Sequence, residues 1–171
     1  MNNIGVICAR LQPLHKGHIL LINEALMQCN KLILCICSPL DGRTPLNPFT
    51  WAERYVMVNS IYRFEPRLDT LFITDINDPE RWAEHVYSKV IEKCGKQENP
   101  LTIFGGGVEE LSLYTPHTEL FKTVLVDRQK TKYLSGSAIR ERCLSGDSSW
   151  KEYVPSDNHE LVEAVLYQVS T

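Results

Sequence analysis

Two histidines three residues apart, His15 and His18, stand in the segment Arg10-Leu11-Gln12-Pro13-Leu14-His15-Lys16-Gly17-His18. On the first turn of a helix that spacing puts both imidazoles on one face. Gly17 between them has no side chain to keep a ligand off the backbone. The free N–H groups and positive dipole end of a helix start favour an anion. The grouping therefore reads as a small phosphate clamp. Zinc is the competing chemistry for a histidine pair, but no third ligand stands nearby. A second anion seat is legible in Leu134-Ser135-Gly136-Ser137-Ala138-Ile139-Arg140. Here Ser135 caps a helix, Ser137 adds a hydroxyl, and Arg140 follows one turn later with a guanidinium able to fork onto phosphate.

The elements that position these groups follow from apolar patterning. Short apolar runs at 4–9, 31–37, 71–74, 101–104 and 123–126 read as strands buried on both faces. Helical spacing follows at 15–29, with Ile19, Ile22 and Leu26 on one side. Residues 38–48 form a loop carrying Pro39, Gly42, Pro45 and Pro48. Thr50 then caps a helix running to about Arg63, with Glu53 completing a capping box. Pro79 is expected at the first position of a helix that continues to about Lys93. Ser135 opens a helix through Arg142, ended near Gly146, and residues 157–169 form a terminal helix. Strands alternating with helices specify an α/β fold: a Rossmann-like, doubly wound parallel sheet of five strands with helices on both faces. In such sheets ligands sit beyond the carboxyl ends of the strands, here just after Ala9, Cys37, Thr74, Phe104 and Val126.

Composition sets the class. The chain has 171 residues, 43% apolar and 23% charged, a length that suits one domain over residues 1–171. Eighteen Lys and Arg against 21 Asp and Glu give a formal charge of -3 without a basic block, which argues against a nucleic-acid binder. No apolar run approaches the roughly 20 residues of a membrane span, and Met1-Asn2-Asn3-Ile4 does not open a signal peptide. A cytoplasmic protein without nucleic-acid or membrane partners is expected. The six cysteines, Cys8, Cys29, Cys35, Cys37, Cys94 and Cys143, contain no C-x-x-C pair, so reduced and mostly buried thiols are expected.

The segment Arg10-x-Gln12-Pro13-x-His15-x-Gly17-His18 resembles the H-x-G-H motif of the nucleotidylyltransferase superfamily. Leu134 to Arg140 resembles the same superfamily's S-x-T-x-I-R motif, with Ser137 in place of the commoner Thr. Asn47-Pro48-Phe49-Thr50-x-x-Glu53-Arg54 resembles the N-P-F-x-x-x-E-R segment of nicotinamide-mononucleotide adenylyltransferases of the archaeal type. The spacing from Asp75 to Trp82 also matches that group. The resemblance implies adenylyl transfer from ATP to nicotinamide mononucleotide, giving NAD and pyrophosphate, with Mg²⁺ accompanying ATP and no protein metal site. It implies catalytic roles for His15, His18, Arg10 and Arg140, and ATP contacts from Ala9, Leu11, Ser135 and Ser137. It places the mononucleotide against Ser38, Arg43, Asn47, Asp75, Asn77 and Trp82, with Trp82 stacked on the pyridinium ring, a cation that an indole face attracts. Gly105, opening the triglycine that ends the fourth strand, suits either an adenine or ribose lying against its backbone or a simple turn. Relatives assemble, so a homo-oligomer is expected.

Two departures bear on the substrate. Ala9 and Leu11 stand where the family usually has Gly and Phe or Met around the arginine. Leu46 stands where a Lys or Arg commonly precedes N-P-F, and Arg43 is the nearby cation able to substitute. The alternatives left open are an adenylyl- or cytidylyltransferase for another phosphate acceptor, such as phosphopantetheine or glycerol phosphate, and a non-catalytic nucleotide-binding regulator. Nicotinamide and nicotinate mononucleotides differ by one exocyclic group, and the sequence does not choose between them.

Overall fold

The strands β1 (Ile4–Ala9), β2 (Lys31–Cys37), β3 (Leu68–Ile73), β4 (Leu101–Gly105) and β5 (Phe121–Leu125) form one sheet in the order β3-β2-β1-β4-β5. All four strand pairings are parallel. This computed structural model describes residues 3–38, 40, 42–128 and 132–170, so Pro39 of the expected loop lies outside the described residues. The chain builds outward from β1 through β2 to β3, then returns to lay β4 on the other side of β1. That reversal makes the carboxyl ends of β1 and β4 the switch point of the sheet, where a crevice opens.

Both faces of the sheet are covered, and period two along β2 shows why its sequence is a continuous apolar run. Leu32, Leu34 and Ile36 enter one core with Leu21 and Ile22 of α1 (Lys16–Leu26), Met57 of α2 (Trp51–Tyr62), Ile139 of α5 (Gly136–Leu144) and Val162 of α6 (His159–Ser170). Ile33 and Cys35 enter a second core with Val86 and Val90 of α3 (Trp82–Cys94) and Leu111 of α4 (Val108–Ser112). Strands buried on two faces have no polar side to alternate with. All six cysteines are free; Cys29, Cys35, Cys37 and Cys143 are buried, while Cys8 and Cys94 are partly so. No helix among the described residues is long and apolar enough to cross a membrane.

The expected element order holds, with differences at the ends. The third strand begins at Leu68 and the fifth at Phe121, both earlier than their apolar runs. These are edge strands, and Asp69, Thr70 and Lys122 interrupt the pattern where one side meets water. Pro79 does not start the fourth strand's preceding helix. Residues 79–81 form a turn, the Asp78 carboxylate accepts from the Arg81 N–H at 3.2 Å, and α3 begins at Trp82. The short α4 and a 3-10 turn at Ser148–Glu152 had no sequence expectation.

Candidate active site

His15 is not inside the helix that the spacing suggested. It is the N-cap of α1, with extended backbone at φ -142° and ψ 171°. Its Nδ1 accepts from the Gly17 N–H at 3.1 Å, and His18 Nδ1 accepts from the His15 N–H at 3.4 Å. The two histidines thus form a reciprocal cap, a role usually taken by Ser or Thr with Glu. Their rings stack with centroids 3.7 Å apart. Because each Nδ1 is an acceptor, each neutral ring carries its proton on Nε2 and keeps that N–H as a donor. Burial, and then the charge of Arg128, lower the pKa of His15 to about 4. His18 is pushed well below the ordinary imidazole range by burial first, then by His15 and Arg128. In the free protein at neutral pH the pair is uncharged.

The second motif is brought onto the first by a close helix-to-loop contact. Ser135 caps α5, its hydroxyl accepting from the Ala138 N–H at 3.2 Å. Arg140 Nη1 donates to the Gln12 carbonyl at 2.6 Å, and Nη2 donates to Ser137 Oγ at 3.3 Å. Gly136 is required here, because a Cβ would stand 2.7 Å from that same Gln12 oxygen. Two helix starts lying about 120 residues apart in sequence therefore share one wall. Burial, and then the Arg10 charge, lower the pKa of Arg140.

The loop following β1 is fixed from the other side. Gln12 clamps Phe49 with both ends of its amide: Nε2 donates to the Phe49 carbonyl and Oε1 accepts the Phe49 N–H, both at 2.9 Å. Arg54 is wholly buried and donates to the carbonyls of Cys37 (2.6 Å), Ser38 (2.8 Å), Arg10 (2.9 Å) and Thr50 (3.3 Å). One guanidinium thereby gathers the carboxyl ends of β1 and β2 onto the start of α2. Thr50 caps α2 with Glu53 in a capping box, as the sequence pattern predicts.

A cavity of about 500 Å³ opens at the switch point. Of the sequence-derived site residues, it is lined by Ala9, Arg10, Leu11, His15, His18, Ser135, Ser137, Arg140 and Trp82. Trp82, first residue of α3, is held by a 2.8 Å hydrogen bond from Nε1 to the Tyr114 hydroxyl. Neutral thiols of Cys8 and Cys37 share the lining. The Cys37 thiol is pushed far above its ordinary pKa, first by the Cys8 thiol beside it and then by burial.

The remaining candidates stand outside that lining. Ser38, at φ +52°, donates from both its N–H and its hydroxyl to the Asp75 carboxylate, joining the ends of β2 and β3. Asn47 is buried in the loop before α2, its N–H donating to Thr44 Oγ1 at 3.0 Å. Asn77 is exposed on the loop after β3. Gly105 is buried against α4, where a Cβ would stand 2.8 Å from Leu111 Cγ. Arg43 is engaged by Glu53, with contacts of 2.6 and 2.9 Å, and by the Pro48 carbonyl at 3.2 Å. Leu46, exposed and apolar, lines the cavity instead. Gly136 of the second motif also lines it, as do Tyr114, Glu110 and Arg128, which sequence reasoning did not single out. None of these three carries a local signal in the sequence.

The sequence profile described as cytidylyltransferase-like matches residues 6–142. A protein of Haloarcula marismortui named nicotinamide-nucleotide adenylyltransferase is 29% identical over 163 residues, covering 94% of this chain and 81% of that protein. The crystal structure of a bifunctional NMN adenylyltransferase/ADP ribose pyrophosphatase from Francisella tularensis superposes with a TM-score of 0.82 at 24% identity. That match covers 100% of this chain and 51% of the other. A second structure of the bifunctional Francisella tularensis protein, complexed with AMP and a manganese ion, gives a TM-score of 0.79 at 22% identity over 99% and 52% of the two chains. The present chain thus spans about half the length of these solved structures.

Proposed function

The chain belongs to the cytidylyltransferase-like family, and from that premise we propose that it transfers the adenylyl group of ATP to nicotinamide mononucleotide, forming NAD and pyrophosphate. One observation carries the reading: the histidine cap of α1 and the Ser135 cap of α5, tied through Arg140 and Gln12, open onto the cavity that Trp82 also lines. The names of the curated relatives and solved structures support it.

In this reading a 5′-phosphate oxygen of the mononucleotide forms a bond to the α-phosphorus of ATP. The bond from that phosphorus to the bridging oxygen breaks, and its electron pair leaves with pyrophosphate. The attacking oxygen is already an anion, so no general base is needed. Catalysis is then positioning and charge stabilisation. The Nε2–H groups of His15 and His18, with Arg10, Arg140, Ser135, Ser137 and the two helix starts, hold the triphosphate. Ala9 and Leu11 border its nucleoside, and Gly105 shapes that wall by admitting Leu111 of α4. Trp82 offers its face to the pyridinium ring. The Ser38–Asp75 link, Asn47 and Asn77 shape the mononucleotide side, and Arg43 acts there by bracing the α2 cap. The divalent cation, Mg²⁺, is assigned to the substrate Mg-ATP, whose phosphate oxygens and waters are the hard ligands it takes. We place the reaction in the cytoplasm in a homo-oligomer that covers the open edges of β3 and β5.

Leu46 favours a second reading. An apolar side chain in the cavity, with Arg43 committed to Glu53, suits an acceptor whose phosphate is held by other cations. The test is pyrophosphate release from Mg-ATP with nicotinamide and nicotinate mononucleotides, phosphopantetheine and glycerol phosphate. Release with nicotinamide mononucleotide and a dinucleotide product is expected. In His18→Ala that rate should fall about 10²–10³-fold with the fold intact, as for loss of a preorganised donor. Wild-type protein that binds ATP but is silent with every acceptor would refute adenylyl transfer to this set.

A further inference from the structure

Arg128 follows β5, where the Val126 N–H still pairs with the Gly105 carbonyl at 2.9 Å. Its side chain turns back across the end of β4, and Nε donates to the Gly106 carbonyl at 3.3 Å. Gly106 is the seat for this guanidinium: a Cβ there would overlap Arg128 Nε and Cζ. The Gly106 N–H is taken by Glu110 Oε2 at 3.1 Å, so both polar groups of this residue are held. The guanidinium also lies over the Tyr133 ring, 5.3 Å from its centroid, and Tyr133 stacks on His15 at 6.0 Å. The Arg128 charge adds to burial in holding both imidazoles neutral. Arg128 and the two Nε2–H groups thus bring three donors to one cavity, and an anion is the ligand that satisfies them together.

We propose that Arg128, seated on Gly106, is a further catalytic residue that binds the triphosphate of ATP and stabilises the departing pyrophosphate. The inference rests on the adenylyl-transfer reading and deepens it. As the bond between the α-phosphorus and the bridging oxygen breaks, negative charge accumulates on that oxygen and the β-phosphate. A fixed guanidinium beside two neutral imidazoles compensates that charge without taking or giving a proton. Triglycine in the sequence is explained in part: Gly106 admits a side chain from the neighbouring strand's loop.

The test uses Arg128→Ala, Arg128→Lys, Gly106→Ala and the double variant Arg128→Ala/Gly106→Ala. Steady-state rates are combined with pyrophosphate inhibition, calorimetric ATP binding and thermal unfolding. Arg128→Ala should lower kcat/KM for ATP by about 10²-fold and weaken pyrophosphate inhibition by about tenfold or more. KM for the mononucleotide at saturating ATP should stay within about threefold, and Arg128→Lys should restore part of the loss. Gly106→Ala should reproduce the defect with arginine still present, because the methyl displaces the guanidinium. The double variant should be no worse than Arg128→Ala, since the methyl then has room. Wild-type turnover with Arg128→Ala and Gly106→Ala both within twofold of it would overturn the assignment while leaving adenylyl transfer intact. Losses that multiply in the double variant would overturn Gly106 as the seat. Wild-type protein that binds neither ATP nor pyrophosphate would overturn the functional reading and this assignment with it.

Discussion

Replacing Arg54 by methionine removes a buried guanidinium and leaves behind the carbonyls of Cys37, Ser38, Arg10 and Thr50 that it serves. The bonds to Cys37 and Ser38 are wholly buried, while those to Arg10 and Thr50 lie nearer the surface, where water can substitute. An orphaned buried acceptor costs about 1–3 kcal/mol, so the two deep carbonyls alone predict a loss of about 2–6 kcal/mol. Removing the buried charge offsets part of this, because its desolvation is relieved. A loss near 3 kcal/mol lowers Tm by about 10 °C for a domain of this size. Arg54→Lys should lose nearly as much, since one ammonium cannot span carbonyls from two strands and a helix start. Urea unfolding followed by circular dichroism, with the slope m checked for constancy, measures the effect. A loss below about 1 kcal/mol at unchanged m would refute the argument that this guanidinium holds the strand ends together.

Two further outcomes follow from the site. Trp82→Ala should raise KM for the mononucleotide about 2–30-fold, the range of about 0.5–2 kcal/mol for a cation on an aromatic face, while KM for ATP stays unchanged; equal shifts in both would contradict the stacking role. Acid stability should reflect the buried imidazoles. His15 has a folded pKa of about 4 against an unfolded value of about 6.5, so the unfolded chain binds more protons between those values. Stability is therefore fully present above about pH 6.5 and declines by about 3 kcal/mol as pH falls to about 4. His15→Asn, which keeps an N-cap acceptor, should make this slope shallower in unfolding titrations, and an unchanged slope would show that His15 does not titrate with folding.

Local physics explains how much of this protein is legible from its sequence. The strands show as apolar runs because a parallel sheet covered by helices leaves no wet face, and the Thr50–Glu53 and Ser135–Ala138 caps are each written within four consecutive residues. The H-x-G-H segment likewise announces a helix start with free N–H donors, since those donors are a property of a single turn. The edge strands escaped their full extent because half of each faces water, and Pro79 misled because a proline suited to a helix start also suits the turn before one.

What the tertiary structure alone decided are contacts between residues that no short-range pattern links. His15 became a cap rather than a helical residue because the chain enters α1 extended, with the Lys16 N–H bonded to the Tyr153 carbonyl. Gln12 meets Phe49, Arg140 meets Gln12, Arg54 gathers the ends of β1 and β2, and Arg128 lies across Gly106. Each pairing joins a side chain to a backbone group distant in sequence, and any Arg or Gln has the same donors wherever it stands. Sheet order chooses the partner: the reversal at β1 and β4 places the loop ends side by side, and burial then requires their carbonyls and N–H groups to be met.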